Sequence, residues 1–423
     1  MLIISFYITE RIFQQNKKPG LFYGYIIVAA TFGIMLVGIG AWASFGVFFK
    51  PVLVEFAWTR AITSGAYSLE MLVAGVASVF TGRLNDRFGP RLMLTASGLF
   101  IGLSFLLMSQ ISGIWQLYLF YGIMVGIGFS CLMVPLLSTV ARWFSRRRSL
   151  MTGIVGAGNG SGTIVLPILA GWLISTYDWR TSFTVLGIIS LVVIVLFAQV
   201  LRRDPEKMKL LPDGDTSPQH GNPNIEVSGI PFRDAIRTRQ FWMLWMIFFC
   251  MGFSIFSIMA HIVIHATGLG FVATKAVNIL AIAGGTNMAG RIIIGSTADR
   301  IGNKPTFIIG VIILLAALVW LQFSNELWML YIFGAVFGFA WGGTLVLQSP
   351  MAADLFGLSS HGTLVGLIQA SLSFGGTAGP VLLGYIFDVT GSYQLGFSIL
   401  AMVSLIGLVI VLLIKPIRKV NVP

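Results

Sequence analysis

The segment Gly82-Arg-Leu-Asn-Asp86-Arg87-Phe-Gly89-Pro-Arg91 returns 213 positions later as Gly295-Ser-Thr-Ala-Asp299-Arg300-Ile-Gly302-Asn-Lys304. Each copy fills a short gap between two long apolar runs. At the same offset of 213, Gly153, Gly162, Pro167 and Gly171 map onto Gly366, Gly375, Pro380 and Gly384, so one register holds far beyond the loops. Repetition on this scale means two similar halves. A membrane protein built this way has a natural place for a binding site, between the halves, and a natural motion, one half rocking against the other.

The setting is a bilayer. Only 10% of the side chains are charged and 56% are hydrophobic, whereas a soluble domain carries roughly 25% charged residues. A spanning helix needs about 20 mostly apolar residues. Twelve such runs occur, centred near positions 35, 70, 100, 125, 162, 190, 252, 283, 315, 340, 374 and 404. Six precede the polar stretch 203–239 and six follow it. The expected fold is therefore all-α, with twelve transmembrane helices in two pseudo-symmetric six-helix bundles, 1–202 and 240–423, joined by a linker at 203–239. The linker tract PDGDTSPQHGNPN is polar and turn-rich and reads as a tether.

The formal charge of +12 records topology. With the N-terminus inside, 22 of the 27 Lys and Arg residues lie on the cytoplasmic side: Arg11, Lys17, Lys18, Arg83, Arg87, Arg91, Arg142, Arg146 to Arg148, seven at the linker, Arg300, Lys304, Lys415, Arg418 and Lys419. Only Lys50, Arg60, Arg180 and Lys275 fall in external loops. This asymmetry predicts cytoplasmic termini and removes the reason to read the basic charge as nucleic-acid binding. Cys131 and Cys250 lie inside apolar runs, as unpaired structural cysteines do, and no disulfide framework or metal motif is visible. The apolar Met1 to Ile8 lacks the basic flank and cleavage site of a signal peptide. No phosphate-cradling loop, nucleophile elbow or zinc motif is present, so the reading is a non-enzyme that needs no cofactor and draws energy from a gradient or a partner.

Arg291 is the one base inside an apolar run. Facing lipid it would cost at least ~2.5 kcal/mol, so it is expected to face a cavity. Asn287 lies one turn before it on the same face. The planar guanidinium suits a carboxylate, which it binds in bidentate fashion, and one uncompensated base suits a monoanion; a salt bridge to a buried acid, or snorkelling to the surface, is the structural alternative. Glu70 lies within the second run, where a charged carboxylate is costly. It is a candidate proton carrier, a partner for Arg291, or a neutral acid hydrogen-bonded between helices. His261 and His265 share a face of the seventh run, and His261 is a candidate ligand and proton-coupling group. Tyr121, Trp341 and Gln369 are plausible cavity-lining groups, with Tyr121 a candidate substrate contact. In the charged loops, Gly82, Asp86, Arg87, Gly89, Arg91, Gly295, Asp299, Arg300 and Gly302 form a candidate cytoplasmic latch in which the acids pair with neighbouring arginines and helix ends.

Both loops match Gly-x-x-x-Asp-Arg-x-Gly-x-Arg/Lys, the signature of the major facilitator superfamily. Within it, Gly46-Val-Phe-Phe-Lys50, Trp143-Phe144-Ser-Arg146-Arg147-Arg148-Ser-Leu-Met-Thr-Gly153, Asp178-Trp-Arg-Thr-Ser-Phe183 and Phe337-Gly-Phe-Ala-Trp-Gly342 resemble the monocarboxylate transporters and their bacterial relatives. The resemblance implies alternating access in an integral membrane protein of the bacterial inner membrane. It also implies proton-coupled movement of lactate- or pyruvate-like anions and a substrate-binding arginine at Arg291. The animal proteins carry an acid one turn before that arginine, where this chain has Asn287, and a first-helix lysine where it has Ala43. The resemblance extends to oxalate/formate antiporters, whose eleventh-helix lysine has no counterpart between Gly362 and Tyr385. An exporter of amphipathic compounds and a transport-inactive sensor are the remaining alternatives.

Overall fold

The structure is a computed structural model that describes residues 22–208, 210–214 and 229–415. Met1 to Ile8, the basic residues Arg11, Lys17, Lys18, Arg418 and Lys419, and most of the polar linker tract lie outside the described residues. Among the described residues there are helices and no strands. Among the same residues, twelve helices are long and apolar enough to cross a membrane. In the first half they are α1 (Tyr23–Phe49), α2 (Gly65–Phe88), α3 (Pro90–Met108), α4 (Ile114–Trp143), α5 (Arg148–Thr176) and α6 (Trp179–Val200). In the second they are α7 (Arg239–Gly268), α8 (Lys275–Ile301), α9 (Asn303–Leu321), α10 (Leu327–Phe356), α11 (His361–Thr390) and α12 (Gln394–Leu413). The offset of 213 carries α3 onto α9 at both ends.

Each half has its own apolar core, one around Phe105, Phe183 and Trp143 and the other around Phe248, Phe307 and Phe337. Large apolar side chains also face outward, with Val381 70%, Ile168 67% and Phe80 63% exposed. A surface this apolar is matched to lipid. Because lipid gives helices no hydrophobic reason to associate, buried serines tie them together. Ser97 Oγ donates to Gly128 O at 2.7 Å, Ser104 Oγ to Phe120 O at 2.6 Å, and Ser254 and Ser404 share a hydrogen bond of 3.0 Å.

The two charged loops end α2 and α8 in one way. Gly89 (φ +85°) and Gly302 (φ +96°) adopt the left-handed backbone that glycine favours, and their N–H groups return to Asn85 O and Ala298 O, both at 2.9 Å. Pro90 then opens α3 at its first position, where no N–H is needed. The described parts of the linker are tied to both halves. Asp213 Oδ2 accepts from Ser145 N (2.9 Å), Ser145 Oγ (2.7 Å) and Arg146 N (2.9 Å), while Ile230 N donates to Phe356 O at 2.9 Å. Half-burial raises the Asp213 carboxyl, but these hydrogen bonds outweigh it and hold it below the usual carboxylate range.

Candidate functional site between the halves

The halves meet along two helix pairs, α2 with α11 and α5 with α8, and glycine sets the distance. A Cβ on Gly82 would overlap Gly362 O, one on Gly366 would overlap Ser78 O, and one on Gly153 would overlap Arg291 O. On Gly295 it would lie 2.5 Å from Ser149 O. All four positions lie in the part of these helices nearest the charged loops, so the molecule is closed at that loop end.

Two carboxylates complete the closure. Asp86 Oδ1 accepts from Gly362 N at 3.0 Å, and Oδ2 accepts from Thr363 N and Thr363 Oγ1 at 2.8 Å each. Asp299 Oδ1 accepts from Ser149 N and Oδ2 from Leu150 N, both at 2.9 Å. Each acid therefore caps the first turn of a helix in the opposite half, where free N–H groups and the helix dipole favour a negative charge. Arg142 adds a crossing bond, from Nη2 to Leu358 O at 2.8 Å, and approaches Asp86 at 3.7 Å. The loop arginines behave differently from the expected latch. Arg91 Nη2 donates to Gln199 O at 2.6 Å within its own half, and Arg87 lies over the ring of Phe88. Arg91 is long enough to reach the end of α6, whereas the short acids sit at the seam.

Beyond this seal lies a cavity of about 130 Å³ lined by side chains of α1, α2, α4, α5, α7, α8, α10 and α11. Arg291 opens into it, 6% exposed, with Nε donating to Asn287 Oδ1 at 3.0 Å. The guanidinium crosses the bare face of Gly156, where a Cβ would stand 2.7 Å from Nη1. Among the described residues no carboxylate lies within ion-pair distance of Arg291. Trp341 Nε1 and Gln348 Nε2 belong to lining residues, are buried, and have no hydrogen-bond partner; Asn287 Nδ2, beside Arg291, has none either. Glu70 faces the same space, with Oε2 accepting from Trp42 Nε1 at 2.9 Å and Oε1 unpartnered. The expected alternative of a Glu70–Arg291 ion pair is not formed.

Gln369 and Trp341 line the cavity; Tyr121 and His261 do not. Tyr121 is fully buried behind the wall, stacked on Phe45 at 4.1 Å with its hydroxyl donating to Trp42 O at 3.2 Å. His261 points into the second half, its ring nitrogens 3.1 Å from Tyr393 Oη and 3.0 Å from Pro380 O. Both are corrections to the expected contacts, and in each case the side chain turns to a partner within its own half. Gln348 was overlooked in the sequence, although an amide deep in an apolar run is the signal that drew attention to Arg291. It sits where α10 is interrupted at Leu347, between Val346 and Gln348.

The scaffold is symmetric and the chemistry is not. At the offset of 213, Arg291 corresponds to Ser78, whose Oγ donates to Gly366 O at 2.8 Å, and Glu70 corresponds to Ala283.

The chain is 26% identical over 403 residues to monocarboxylate transporter 13 of Bos taurus, covering 93% of this chain and 89% of that one. It is 27% identical to monocarboxylate transporter 11 of Homo sapiens over 405 residues, covering 93% and 83%. Among solved structures, the proton:xylose symporter XylE superposes with a TM-score of 0.76 at 15% identity, covering 93% of this chain and 96% of that one. The model of the Major Facilitator Superfamily matches residues 30–297 and again 279–423, and the chain belongs to that family of membrane transporters.

Proposed function

We propose that this transporter carries a small monocarboxylate of the lactate or pyruvate kind, with a proton, by alternating access. The observation that carries the reading is the buried Arg291 fork, without a carboxylate partner among the described residues, in one cavity with the unpartnered N–H groups of Trp341 and Gln348. A carboxylate offers about four acceptor sites and matches a guanidinium edge to edge. Leaving such buried donors without a partner costs about 1–3 kcal/mol each, so an anion that accepts from them stabilises the arrangement sealed at the loop end. The volume of about 130 Å³ resembles that of an engineered cavity of about 150 Å³ that holds one benzene, which suits a molecule of a few heavy atoms better than a bulky amphipath.

Glu70 is the proton carrier in this scheme. It shares the cavity with Arg291, and its free Oε1 can take a proton without breaking the bond from Trp42. Anion and proton together cross as a neutral load, which avoids work of ~2.3 kcal/mol per charge per 100 mV against the membrane potential. Asp86 and Asp299, with the glycines around them, seal one side while the other is open. The assignment of 1–202 and 240–423 as rocking units, 203–239 as their tether and the loop end as cytoplasmic belongs to the same proposal. It is supported by the crowding of Lys and Arg at that end.

The test is uptake of labelled L-lactate into proteoliposomes with and without an inward proton gradient. The expected result is gradient-stimulated uptake that is lost in well-folded Arg291→Ala protein. Normal uptake by that variant overturns the site, and indifference to lactate with displacement by unrelated hydrophobic compounds favours an exporter.

A further inference from the structure

The second half holds another cavity, of about 470 Å³, at the end of the bundle remote from the charged loops. It is bounded by the ends of α7, α9 and α11 and the start of α12, so it lies wholly inside one half and away from the moving seam. Its wall is a run of near-parallel rings. Phe387 and Tyr393 stack at 4.4 Å and 21°, Tyr393 and Phe397 at 5.6 Å and 15°, and His265 meets Phe397 edge-on at 5.0 Å. The amides of Gln322, Asn325 and Gln394 line the same cavity. Gln322 Nε2 is buried with no hydrogen-bond partner. None of the lining residues is Asp, Glu, Lys or Arg.

The first half shows what the repeat does when this space is closed. At the offset of 213, Tyr393 corresponds to Arg180, Gln322 to Ser109, Ser324 to Ile111 and Gly268 to Glu55. There Arg180 bridges the helix ends, donating to Ser109 O at 2.9 Å, Ile111 O at 3.3 Å and Glu55 Oε1 at 2.7 Å. The second half has exchanged the bridge for a tyrosine and the acid for a glycine, and the space between the same four helices is open. Glu55 and Arg180 are the pair with which the sister half spans that space.

We propose that this cavity is a binding site for a neutral, hydroxyl-bearing ring of the pyranose type, either a free sugar or the headgroup of a glycolipid. Such a ring has an apolar C–H face for the aromatic wall and a rim of hydroxyls for the amides and the unpaired Gln322 N–H. A charged ligand would lose its water without meeting a counter-charge. The volume falls in the range of about 300–1,000 Å³ typical of small-molecule sites.

The test uses the full-length protein in phosphatidylcholine nanodiscs. Methyl β-glucoside is followed by saturation-transfer NMR, and monoglucosyl diacylglycerol by its retention in native mass spectra. The expected result is binding of at least one probe, weakened about tenfold or more by Gln322→Leu and abolished in Gly268→Glu/Tyr393→Arg, which rebuilds the bridge of the first half. Arg291→Ala should leave the binding in place, because that residue faces the other cavity. Binding of the glucoside identifies a free sugar as ligand, and binding of the lipid alone identifies a headgroup. The proposal is overturned if neither probe binds, if Gln322→Leu and the double variant both bind normally, or if glucose 6-phosphate binds as well as the glucoside.

Discussion

Asp86 in the first half accepts the backbone N–H of Gly362 in the second at 3.0 Å, and the offset of 213 turns that pair into Asp299 with Ser149, at 2.9 Å. The closed seam is thus held by two acids that each cap a helix belonging to the other half. A hydrogen bond to a charged group contributes about 1.5–3 kcal/mol. Replacing Asp86 or Asp299 with Ala is expected to shift the balance toward opening at the loop end by about tenfold or more, because 1.4 kcal/mol is a factor of about ten. Alkylation of Ser78→Cys, at a fully buried seam position, in protein lacking Cys131 and Cys250 reports that opening. An unchanged alkylation rate in both variants removes the latch role.

Gly366 tests the same seam by bulk. Its α-carbon faces Ser78 O so closely that a Cβ has no room, and backbone on both sides prevents relief by a rotamer change. Gly366→Val is expected to fold, to keep the loop end open, and to lose most transport, since overpacking costs typically about 1–3 kcal/mol in favour of the open arrangement. Gly284→Ala is the control, because nothing lies within 4 Å of its added Cβ. Equal transport by the two variants would show that the seam need not close this tightly.

The twelve helices were legible because length and apolarity leave a membrane chain few choices, and the repeat was legible because both loops need glycine at Gly89 and Gly302. Arg291 was legible for its energetic cost. Which way a helix face turns was not. His261 and His265 lie one turn apart on α7, and nothing in that spacing tells whether the face meets the central cavity or the start of α12, where Phe397 and the capping residue Tyr393 wait. Tyr121 was misplaced for the same reason. Gln348 was hidden by the interruption of α10 at Leu347, which no single residue type announces.

Trp341 and Gln348 offer N–H groups that the protein itself leaves unpaired. Trp341→Phe keeps a flat aromatic wall and removes the donor. It is expected to raise KM for the anion about ten- to a hundredfold, the equivalent of one hydrogen bond of about 1.5–3 kcal/mol to a charged group, with thermal stability preserved or improved in the empty protein. Gln348→Leu should behave alike. Initial-rate uptake at varied anion concentration, alongside thermal unfolding, checks both. Unchanged KM in both variants would move the carboxylate to another wall of the cavity.

Two glutamates separate transport coupling from surface chemistry. Glu55, near the end of the helix Phe45–Phe56 that continues α1, accepts from Arg180 at 2.7 Å and from Trp179 Nε1 at 2.5 Å, and these bonds, Arg180 first, hold its carboxyl below the ordinary range. A depressed carboxylate contributes stability above its unfolded value, near about 4.3, and loses it only as pH falls through the lower folded value. Glu55 is therefore charged throughout the range of about pH 5 to about pH 8 in which a proton-coupled transporter works. Glu55→Gln should leave the pH profile of uptake where it was. Glu70→Gln, in the cavity, should abolish stimulation by the proton gradient while anion exchange at equal pH on both sides continues, because Arg291 still binds the anion. Uptake that remains gradient-driven in Glu70→Gln protein would place the proton on another group or on the carboxylate substrate itself.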